Sequence, residues 1–306
     1  MSSTYAHALS AAADAAAGQN YPPGALYVVA TPIGNLADIT LRALHVLALA
    51  DTVACEDTRH TQTLLRAYGI DKSAAQLLAV HEHNETQAAE ELVQRMVQGQ
   101  RVAYVSDAGT PAISDPGARL VAAARAAARP VVPLPGASSV TAALSVAGMA
   151  TTDAAASGFV FAGFLPSKAG ERAQAVAALA QQTRAVVLLE APHRIAALAQ
   201  ALAVLGERGL TIGRELTKQF EEITQFPAAG FGAWLAADPN RCRGEFVLVL
   251  HPAAVLPDSG EDQRVLQLLL AELPLKTAVR LAAEITGAPR NALYEAALSL
   301  KKSDLD

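Results

Sequence analysis

The chain has 306 residues, of which 52% are hydrophobic and 17% charged, and its formal net charge is −5. This composition excludes an intrinsically disordered chain. The sequence contains no run of about 18 apolar residues, so no membrane span is predicted. A protein that holds nucleic acid by non-specific phosphate neutralisation is usually basic, so any nucleic-acid partner of this acidic chain must be bound by a local basic patch or recognised by its shape. The two cysteines, Cys55 and Cys242, lie far apart in the sequence, which is typical of a reduced, cytoplasmic protein.

The chain begins with an alanine-rich segment and continues as an alternation of strand and helix patterns. We expect residues 1–22 to be a disordered extension, because a terminus without a core-facing pattern tends to stay mobile. Short β-branched runs separated by helical patterns follow at 25–30, 52–56, 76–80, 101–106 and 130–134. Continuous apolar strands alternating with helices indicate a parallel sheet buried on both faces. Residues 23–148 are therefore predicted to form an N-terminal α/β domain.

The second half of the chain has a different strand pattern. A small and polar stretch at 147–158 is predicted to be a linker. Strand patterns follow it at 158–164, 184–190, 210–216 and 244–250. Helical patterns separate only some of these strands, so residues 156–252 are predicted to form a second α/β domain with a mixed sheet and antiparallel pairs.

The end of the chain is predicted to be a small helical module. Residues 251–262 have the composition of a second linker, and residues 262–303 show three short helical patterns. Pro274 marks the start of the second helix and Gly287 its end. This pattern is typical of helix-turn-helix modules and equally of a helical appendage that only packs on its own core.

Three loops that follow predicted strands share a small, glycine-containing and nearly uncharged composition. They are "VVATPIGNLADIT" at 28–40, "VSDAGTPAISDPG" at 105–117 and "PLPGASS" at 133–139. In open α/β sheets, the loops beyond the carboxyl ends of the strands bind ligands, so we expect these three loops to converge on one site. The first lacks the three glycines of a dinucleotide loop and the Lys-Ser/Thr pair of a phosphate loop. Such loops suit an adenosyl or similar group better than a triphosphate, which would require basic side chains.

Polar clusters follow the second and third strands. "CEDTRHT" at 55–61 and "HEHNE" at 81–85 supply carboxylates, imidazoles and one arginine. His81, His83 and Glu85 would share one face of an extended segment, but no further protein ligand accompanies them, so no metal site is predicted. Basic residues gather in the second half and form a candidate local patch: Lys168, Arg172, Arg194, Arg214, Lys218, Arg241 and Arg243.

A string of nine motifs resembles one known family. In chain order these motifs are "ATPIGNLADIT", "EDTRHT", "HEHNE", "VSDAGTPAISDPG", "PLPGASS", "GFLP", "EAPHR", "RELTK" and "GEFVLV". Their order and spacing resemble the bacterial ribosomal RNA small subunit methyltransferase I family of 16S rRNA cytidine-2′-O-methyltransferases. That family belongs to the tetrapyrrole-methylase-like (class III) methyltransferases. The resemblance covers about residues 25–252, and the tail resembles the helical module of many members.

The resemblance implies a fold, a cofactor and a substrate. It implies two α/β domains with S-adenosylmethionine in the cleft between them, in a homodimer that methylates the ribose of a decoding-region cytidine in 16S rRNA of the small ribosomal subunit. Carried onto this chain, the cofactor contacts are Pro32, Asp107, Gly109, Thr110, Ala112, Ser138, Ser139, Phe164, Leu165, Ala191 and Pro192. Gly244 and Glu245 are weaker candidates for the same role.

Transfer of a methyl group to a ribose hydroxyl requires a nearby proton acceptor, because the hydroxyl is weakly acidic. Asp57 and His83 are predicted as the catalytic residues, and Glu56, His81 and Glu190 remain alternatives. The predicted contacts with the RNA backbone are Arg59, Lys168, Arg194, Arg214 and Lys218.

Two other functions remain open from the sequence. A methyltransferase of the same superfamily that acts on a tetrapyrrole or precorrin would share the fold and the cofactor loops. A non-catalytic, ribosome-binding adaptor would need only the C-terminal module. The polar clusters at 55–61 and 81–85 and the basic second half favour RNA over a small molecule, and the intact cofactor loops argue against an adaptor.

Overall fold

The computed structural model describes residues 5–81, 83–113, 117–149, 158–253 and 259–303. The chain divides into two compact units, one ending at Pro252 and the other beginning at Ala253. The first unit holds two five-stranded sheets, and the second consists of helices. No helix in the described part of the chain is long and apolar enough to span a bilayer.

The first sheet is parallel throughout, as the alternating pattern predicts. Its strands are β1 (Leu26–Val29), β2 (Thr52–Cys55), β3 (Leu77–Ala79), β4 (Val102–Val105) and β5 (Val131–Leu134). Their order in the sheet is β3-β2-β4-β1-β5, and each neighbouring pair is parallel. The central strands are buried because both faces of the sheet are covered by helices.

Five helices cover the two faces of this sheet. One face carries α1 (Ala6–Ala16), α2 (Leu41–Leu49) and α3 (Thr58–Ala67), and the other carries α4 (Glu85–Val97) and α5 (Gly117–Ala126). Thr40 caps α2 by accepting a hydrogen bond from the backbone N–H of Ala43, at a distance of 3.1 Å. Asp57 caps α3 in the same way.

The alanine-rich start of the chain is ordered where the structure describes it, which corrects the prediction of a disordered extension over residues 1–22. Residues 6–16 form helix α1, which packs against α2. Ala12 and Ala16 are buried in the core of the first sheet, and the ring of Tyr5 lies 5.5 Å from that of Tyr68. Alanines keep the helix thin enough for close packing, so a segment without large apolar residues still contributes to the core. Residues 1–4 lie outside the described part.

The second sheet is mixed, as predicted from the uneven spacing of its strands. Its strands are β6 (Phe159–Gly163), β7 (Ala185–Glu190), β8 (Gly209–Arg214), β9 (Glu222–Pro227) and β10 (Phe246–Leu250), in the order β6-β7-β10-β8-β9. Only β6 and β7 are parallel, and the other neighbours are antiparallel. The sequence did not reveal β9, because this edge strand alternates half-buried and exposed positions and includes polar residues.

Helices cover this sheet as well. One face packs against α7 (Ala169–Ala180), α8 (Ile195–Leu202) and α9 (Phe231–Ala237). The other face packs against α6 (Ser139–Val146), which follows the last strand of the first sheet. Helix α6 therefore starts at a loop of the first sheet and contributes its apolar face to the second. Residues 150–157, within the first predicted linker, lie outside the described part.

The second unit contains the three predicted helices. They are α10 (Ser259–Glu272), α11 (Leu275–Thr286) and α12 (Arg290–Ser303). Gly287 ends α11 in the left-handed region with φ 76°, where a glycine is favoured. Leu266, Ala282 and Leu293 form a core within this unit.

Candidate active site

The three glycine-containing loops converge at one edge of the first sheet, as predicted. They follow β1, β4 and β5, and these strands are neighbours in the order β4-β1-β5. The first two loops are joined by a pair of backbone hydrogen bonds, Thr31 N–H to Gly109 O at 2.9 Å and Gly109 N–H to Thr31 O at 3.1 Å. The Thr110 hydroxyl donates to Ala137 O at 3.0 Å and so ties the second loop to the third. Gly109 and Thr110, predicted as cofactor contacts, thus hold the loops together.

Backbone conformation in the middle loop depends on its small residues. Gly109 has φ 82°, and a Cβ at this position would lie 3.2 Å from Ile33 Cγ2, so glycine allows both the conformation and the close contact. Ala112 also has a positive φ, 64°, which costs energy for a residue with a side chain. Ser114, Asp115 and Pro116, which belong to the same motif, lie outside the described residues.

Loops of the second sheet form the opposite wall, and Arg194 joins two of them. Its guanidinium lies 3.0 Å from Glu190 Oε1 in an ion pair and donates a hydrogen bond to the carbonyl oxygen of Leu165. It therefore links the loop after β6 to the loop after β7. Arg194 is predicted from the sequence as an RNA contact, but its guanidinium is engaged within the second domain. This assignment is corrected.

Two adjoining pockets form a cleft between the two walls; we call the pocket lined by Glu190 its inner part and the pocket lined by His60 its mouth. The inner part has a volume of about 290 Å³ and the mouth about 420 Å³. Both are lined by Ile33, Ala108, Lys218 and Glu245. The inner part is mainly apolar and is further lined by Ser139, Phe164, Leu189, Glu190, Ala191, Pro192, Leu216, Phe246 and Val247. The mouth is further lined by Pro32, Gly34, Leu36, His60, Thr63, Leu64, Ala67 and Asp107.

Six of the eleven predicted cofactor contacts line these two parts, and Gly109, Thr110, Ala112, Ser138 and Leu165 line neither. Ser139, Phe164, Ala191 and Pro192 line the inner part, whereas Pro32 and Asp107 line the mouth. Leu165 is buried and contributes its carbonyl oxygen to Arg194. Ser138 occupies the position before α6 and makes no side-chain cap.

Glu190 is the buried charged group of the inner cleft. Its side chain is 1% exposed. Oε1 accepts a hydrogen bond from the backbone N–H of Ala191 at 2.9 Å and forms the ion pair with Arg194. Oε2 is buried as well, but it has no hydrogen-bond partner in the described part of the chain. The Nε of Arg194, 3.0 Å from Oε1, is also buried without a hydrogen-bond partner among the described residues, so charge attraction holds these two groups together.

Lys218 lies where the mouth meets the inner cleft. Its Nζ donates to Glu215 Oε1 at 2.8 Å and to Glu245 Oε2 at 2.9 Å. Burial lowers the pKa of Lys218, but the two carboxylates outweigh burial and hold that pKa above its ordinary value. For Glu215, burial acts in the opposite direction and raises the pKa. Hydrogen bonds from Lys218 and from the Glu245 N–H outweigh burial and lower that pKa. Both shifts therefore favour the charged forms of Lys218 and Glu215.

The turn that carries Lys218 is strained and touches the first loop. Glu215 and Thr217 have positive φ values, 51° and 66°, although neither is a glycine. A Cβ at Gly34 would collide with Lys218 Cγ and would lie 3.1 Å from the carbonyl oxygen of Leu216. Gly34 is therefore required for the close approach of the two walls.

The two predicted catalytic residues do not line either part of the cleft. Asp57 accepts hydrogen bonds from the backbone N–H groups of Arg59 and His60, at 2.8 and 3.3 Å, and these bonds lower its pKa. His83 is exposed, and its ring lies 6.1 Å from that of His81. Of the alternatives, Glu190 lines the inner cleft, and Glu56 Oε1 accepts a hydrogen bond from the Asp107 N–H at 3.2 Å, close to the mouth.

His60 lines the mouth and was not selected from the sequence as a catalytic candidate. Helix α3 begins directly after the Asp57 cap and presents His60, Thr63, Leu64 and Ala67 to the mouth. These positions follow the i, i+3, i+4, i+7 spacing of one helix face. That spacing, combined with the position of the helix after a strand end, is the signal that would have identified His60.

The predicted RNA contacts differ in their accessibility. The Arg59 side chain is 92% exposed, and that of Lys168 is 81% exposed, with its Nζ 3.0 Å from Glu171. Arg214 is only 8% exposed, and its guanidinium donates to the carbonyl oxygens of Arg243 and Asn240, both at 2.8 Å. Arg214 therefore supports the second domain from within, and its assignment to an RNA surface is corrected.

The sequence matches a known family. The profile of the tetrapyrrole (corrin/porphyrin) methylases matches residues 25–231. The chain belongs to this family. A second profile, described as the RsmI C-terminal HTH domain, matches residues 257–301. In the described part of the chain, no group of three or more His, Cys, Asp or Glu side chains is placed to hold a metal ion.

Two proteins that are similar to this chain over most of its length carry the same name. "Ribosomal RNA small subunit methyltransferase I" of Neisseria meningitidis serogroup A is 49% identical over 91% of this chain and 94% of its own length. The protein of the same name from Escherichia coli O157:H7 is 48% identical over 90% of this chain and 95% of its own length. These identities place the chain in the small subunit methyltransferase I family, as the motif string indicated.

Solved structures share the fold at lower identity. Uroporphyrin-III-C-methyltransferase from Thermus thermophilus superposes with a TM-score of 0.53 and 22% identity, over 74% of this chain and 94% of that one. The cobalamin biosynthetic enzyme cobalt precorrin-4 methyltransferase superposes with a TM-score of 0.55 and 18% identity, over 76% of this chain and 98% of that one. These likenesses establish the fold.

Proposed function

We propose that this protein, an S-adenosylmethionine-dependent ribosomal RNA methyltransferase, methylates the ribose 2′-oxygen of a cytidine in the decoding region of 16S rRNA. The observation that carries the proposal is similarity over nearly the whole chain, at 44–49% identity, to proteins named ribosomal RNA small subunit methyltransferase I. The choice of a cytidine as the target, and of its 2′-oxygen as the methylated atom, follows from the family that the motif string resembles. These two details of the substrate are therefore proposals.

The inner cleft fits S-adenosylmethionine. Phe164, Pro192 and Phe246 provide an apolar wall suited to an adenine ring. Lys218 is the cationic side chain of this lining, and two glutamates neutralise it. A polyphosphate would require several cations here, so the lining favours an adenosyl group.

The bound cofactor supplies a methyl group on a positively charged sulfur, and the protein must align an acceptor with it and exclude water. We place the ribose acceptor at the mouth. The Lys218 ammonium carries three donors and uses two of them on Glu215 and Glu245, so one N–H remains for an oxygen of the RNA.

We propose that His60 orients the acceptor hydroxyl and takes its proton. It lines the mouth, and an imidazole nitrogen can accept a proton from a hydroxyl within hydrogen-bond reach. This role replaces the one proposed from the sequence for Asp57 and His83, which lie outside the cleft lining. Asp107, at the mouth, and Ser139, in the inner cleft, remain proposed cofactor contacts.

The proposal extends to the partners of the protein. The helix-turn-helix profile over residues 257–301 supports a nucleic-acid contact by the C-terminal unit. Arg59 and Lys168, both exposed, are the remaining surface cations among those predicted to contact RNA outside the cleft. A homodimer and a cytoplasmic location, where small ribosomal subunits occur, complete the proposal.

The experiment that tests the substrate class compares three acceptors. Purified protein is incubated with methyl-labelled S-adenosylmethionine and with 30S subunits, naked 16S rRNA or a porphyrinoid. We expect label in RNA, and a His60→Ala variant should transfer it at least about a hundredfold more slowly. Label in the porphyrinoid alone would instead support the small-molecule methyltransferase, and no transfer to any acceptor would support the adaptor.

A further inference from the structure

A second cavity opens on the second sheet, outside the cleft. It has a volume of about 730 Å³, larger than either part of the cleft and within the range of about 300–1,000 Å³ that is typical of ligand sites. Its lining includes Arg214 at the end of β8 and Glu222 at the start of β9. We call this cavity the side pocket. Neither the proposed cofactor site nor the proposed acceptor site includes it.

The side pocket adjoins the mouth of the cleft. Glu215 lines the side pocket and Lys218 lines the mouth, and these two side chains form an ion pair at 2.8 Å. Gly244 lines the side pocket as well, and the next residue, Glu245, lines the mouth. Because consecutive nucleotides of a strand lie next to each other, an RNA with one ribose at the mouth can place a neighbouring nucleotide at the side pocket.

Phe220 presents an aromatic ring to this neighbouring position. It lines the side pocket, and the residue is 69% exposed. Proteins hold unpaired RNA bases by stacking them on aromatic side chains, since every base has a π-face. An exposed phenyl ring in a lining that is otherwise polar is therefore suited to the flat face of a base.

Buried hydrogen bonds fix the backbone from which the side pocket is built. Arg214 is only 8% exposed, and its guanidinium donates to the carbonyl oxygens of Arg243, Asn240 and Phe220, at 2.8, 2.8 and 3.4 Å. One buried side chain thus holds together three chain segments whose exposed residues line the side pocket. A surface that is ordered before the ligand arrives loses little conformational entropy on binding.

The charges of the side pocket favour a base over a phosphate group. Its lining carries two guanidinium groups and four carboxylates: Arg214, Arg243, Glu215, Glu221, Glu222 and Asp238. A phosphate would meet this excess of carboxylates, whereas a neutral base would not be repelled. Carboxylate oxygens can also accept hydrogen bonds from the amino groups of a base.

We propose that the side pocket binds the base of a nucleotide next to the methylated one, stacked on Phe220. Phe220 is thereby a positioning residue, because holding the neighbouring base helps to place the acceptor ribose at the mouth. This inference rests on the proposed function for the identity of RNA as the substrate.

The first test measures the affinity of the protein for 16S rRNA by filter binding. We expect Phe220→Ala to weaken binding at least about fivefold, as for the loss of one stacked base, and Phe220→Tyr to keep the wild-type affinity. Phe159→Ala is the matched control, because Phe159 is also an exposed phenylalanine of the second sheet but lies outside the linings of the side pocket and the cleft. Affinity for S-adenosylhomocysteine, measured by calorimetry, should be the same in all four proteins.

The second test distinguishes a base from a phosphate as the occupant. A Phe220→Trp variant places a fluorescent ring at the side pocket, and it is titrated with single-stranded oligocytidylate or with an abasic ribose-phosphate oligomer of the same length. We expect the oligocytidylate to quench the added fluorescence and the abasic oligomer to leave it unchanged. The wild-type protein is the control, because its single tryptophan, Trp234, lies outside the lining of the side pocket.

Three results would overturn the proposal. They are unchanged RNA affinity in a folded Phe220→Ala protein, equal quenching by the two oligomers, and a change in oligomeric state of Phe220→Ala in sedimentation, which would assign the ring to an interface between two copies of the chain. If Phe220→Ala does not fold, Phe220→Leu replaces it, because it removes the aromatic ring and keeps an apolar side chain. A wild-type protein that neither binds nor methylates RNA would refute the proposed function, whereas RNA binding that is independent of Phe220 would refute this inference alone.

Discussion

At the residue scale, a variant of Arg194 tests whether this side chain supports the wall of the cleft or contacts RNA. Replacing it with alanine leaves Glu190 buried without its cation and frees the Leu165 carbonyl. We expect Arg194→Ala to lower the free energy of unfolding by about 3 kcal/mol and to weaken S-adenosylhomocysteine binding, while RNA affinity stays the same. Thermal unfolding, calorimetry and RNA filter binding measure the three quantities.

Arg59→Ala is the matched comparison for Arg194→Ala. Arg59 is almost fully exposed and its ion pair is with the neighbouring Asp57, at 3.6 Å. Its loss should weaken RNA binding and leave cofactor affinity unchanged. If Arg194→Ala instead weakened RNA binding and left cofactor affinity unchanged, Arg194 would be a contact to RNA.

Gly34 is a second residue at which a small change has a defined effect. Its Cβ would collide with Lys218 and approach Thr217 Oγ1 to 2.9 Å, so Gly34→Ala should push the two walls of the cleft apart. We expect a loss of about 1–3 kcal/mol in unfolding free energy, as for overpacked cores, and slower methyl transfer. Gly170→Ala in helix α7, where a Cβ meets nothing within 4 Å, should leave methyl transfer unchanged and raise the unfolding free energy by up to about 1 kcal/mol.

At the scale of elements, the turn after β8 should respond to pH. The pKa of Glu215 is lowered in the folded protein, so its pairing with Lys218 is fully present above the ordinary pKa of a glutamate, about 4.3. It is lost as pH falls through the lower folded value. The raised pKa of Lys218 has the opposite sense, since its contribution persists up to about pH 10 and is lost above the folded value.

Lys218→Met tests this dependence. At pH 7 the variant should be less stable than the wild type by about 1.5 kcal/mol, because charge-assisted hydrogen bonds are lost. The difference should narrow as pH falls from 5 to 3, since the wild type loses the same interaction there. Lys168→Met, whose exposed pair with Glu171 is worth little, serves as the control in urea unfolding curves. A stability gap independent of pH would contradict the assignment.

The elements differ in how far the sequence could predict them. The strands of the first sheet are apolar runs bounded by turn residues, so local pattern identifies them and their parallel pairing. Strand β9 and helix α1 were missed because an edge strand with polar residues and an alanine helix carry no strong apolar signal. The convergence of three loops was predictable, since it follows from parallel strand ends.

The side chains of the site were harder to predict, because their roles depend on contacts between distant parts of the chain. Arg194 bonds a carbonyl 29 positions away, and Arg214 bonds one 26 positions away, so neither could be distinguished from a surface cation. Lys218 was predicted to contact RNA, but its bond to Glu245, 27 positions on, appears only in the fold. His60 required knowledge of which face of α3 points to the mouth.

At the scale of the whole molecule, the two units have separate cores and should have separable roles. A chain ending at Pro252 keeps both sheets and the cleft, whereas the helix-turn-helix match lies beyond it. We expect this shortened protein to fold, to bind S-adenosylhomocysteine with unchanged affinity and to bind 16S rRNA at least about tenfold more weakly. Circular dichroism, calorimetry and filter binding provide the readouts. Unchanged RNA affinity would confine RNA recognition to the first unit.

The central claim is that the cleft delivers a methyl group to a ribose oxygen of RNA. The most direct measurement is nucleoside analysis of 16S rRNA, by mass spectrometry, after reaction of unmethylated 30S subunits with the protein and labelled S-adenosylmethionine. The account predicts that the label is recovered as 2′-O-methylcytidine, and that the RNA becomes resistant to alkaline cleavage at that nucleotide. Label recovered as a base-methylated nucleoside, with alkaline cleavage unchanged, would contradict it.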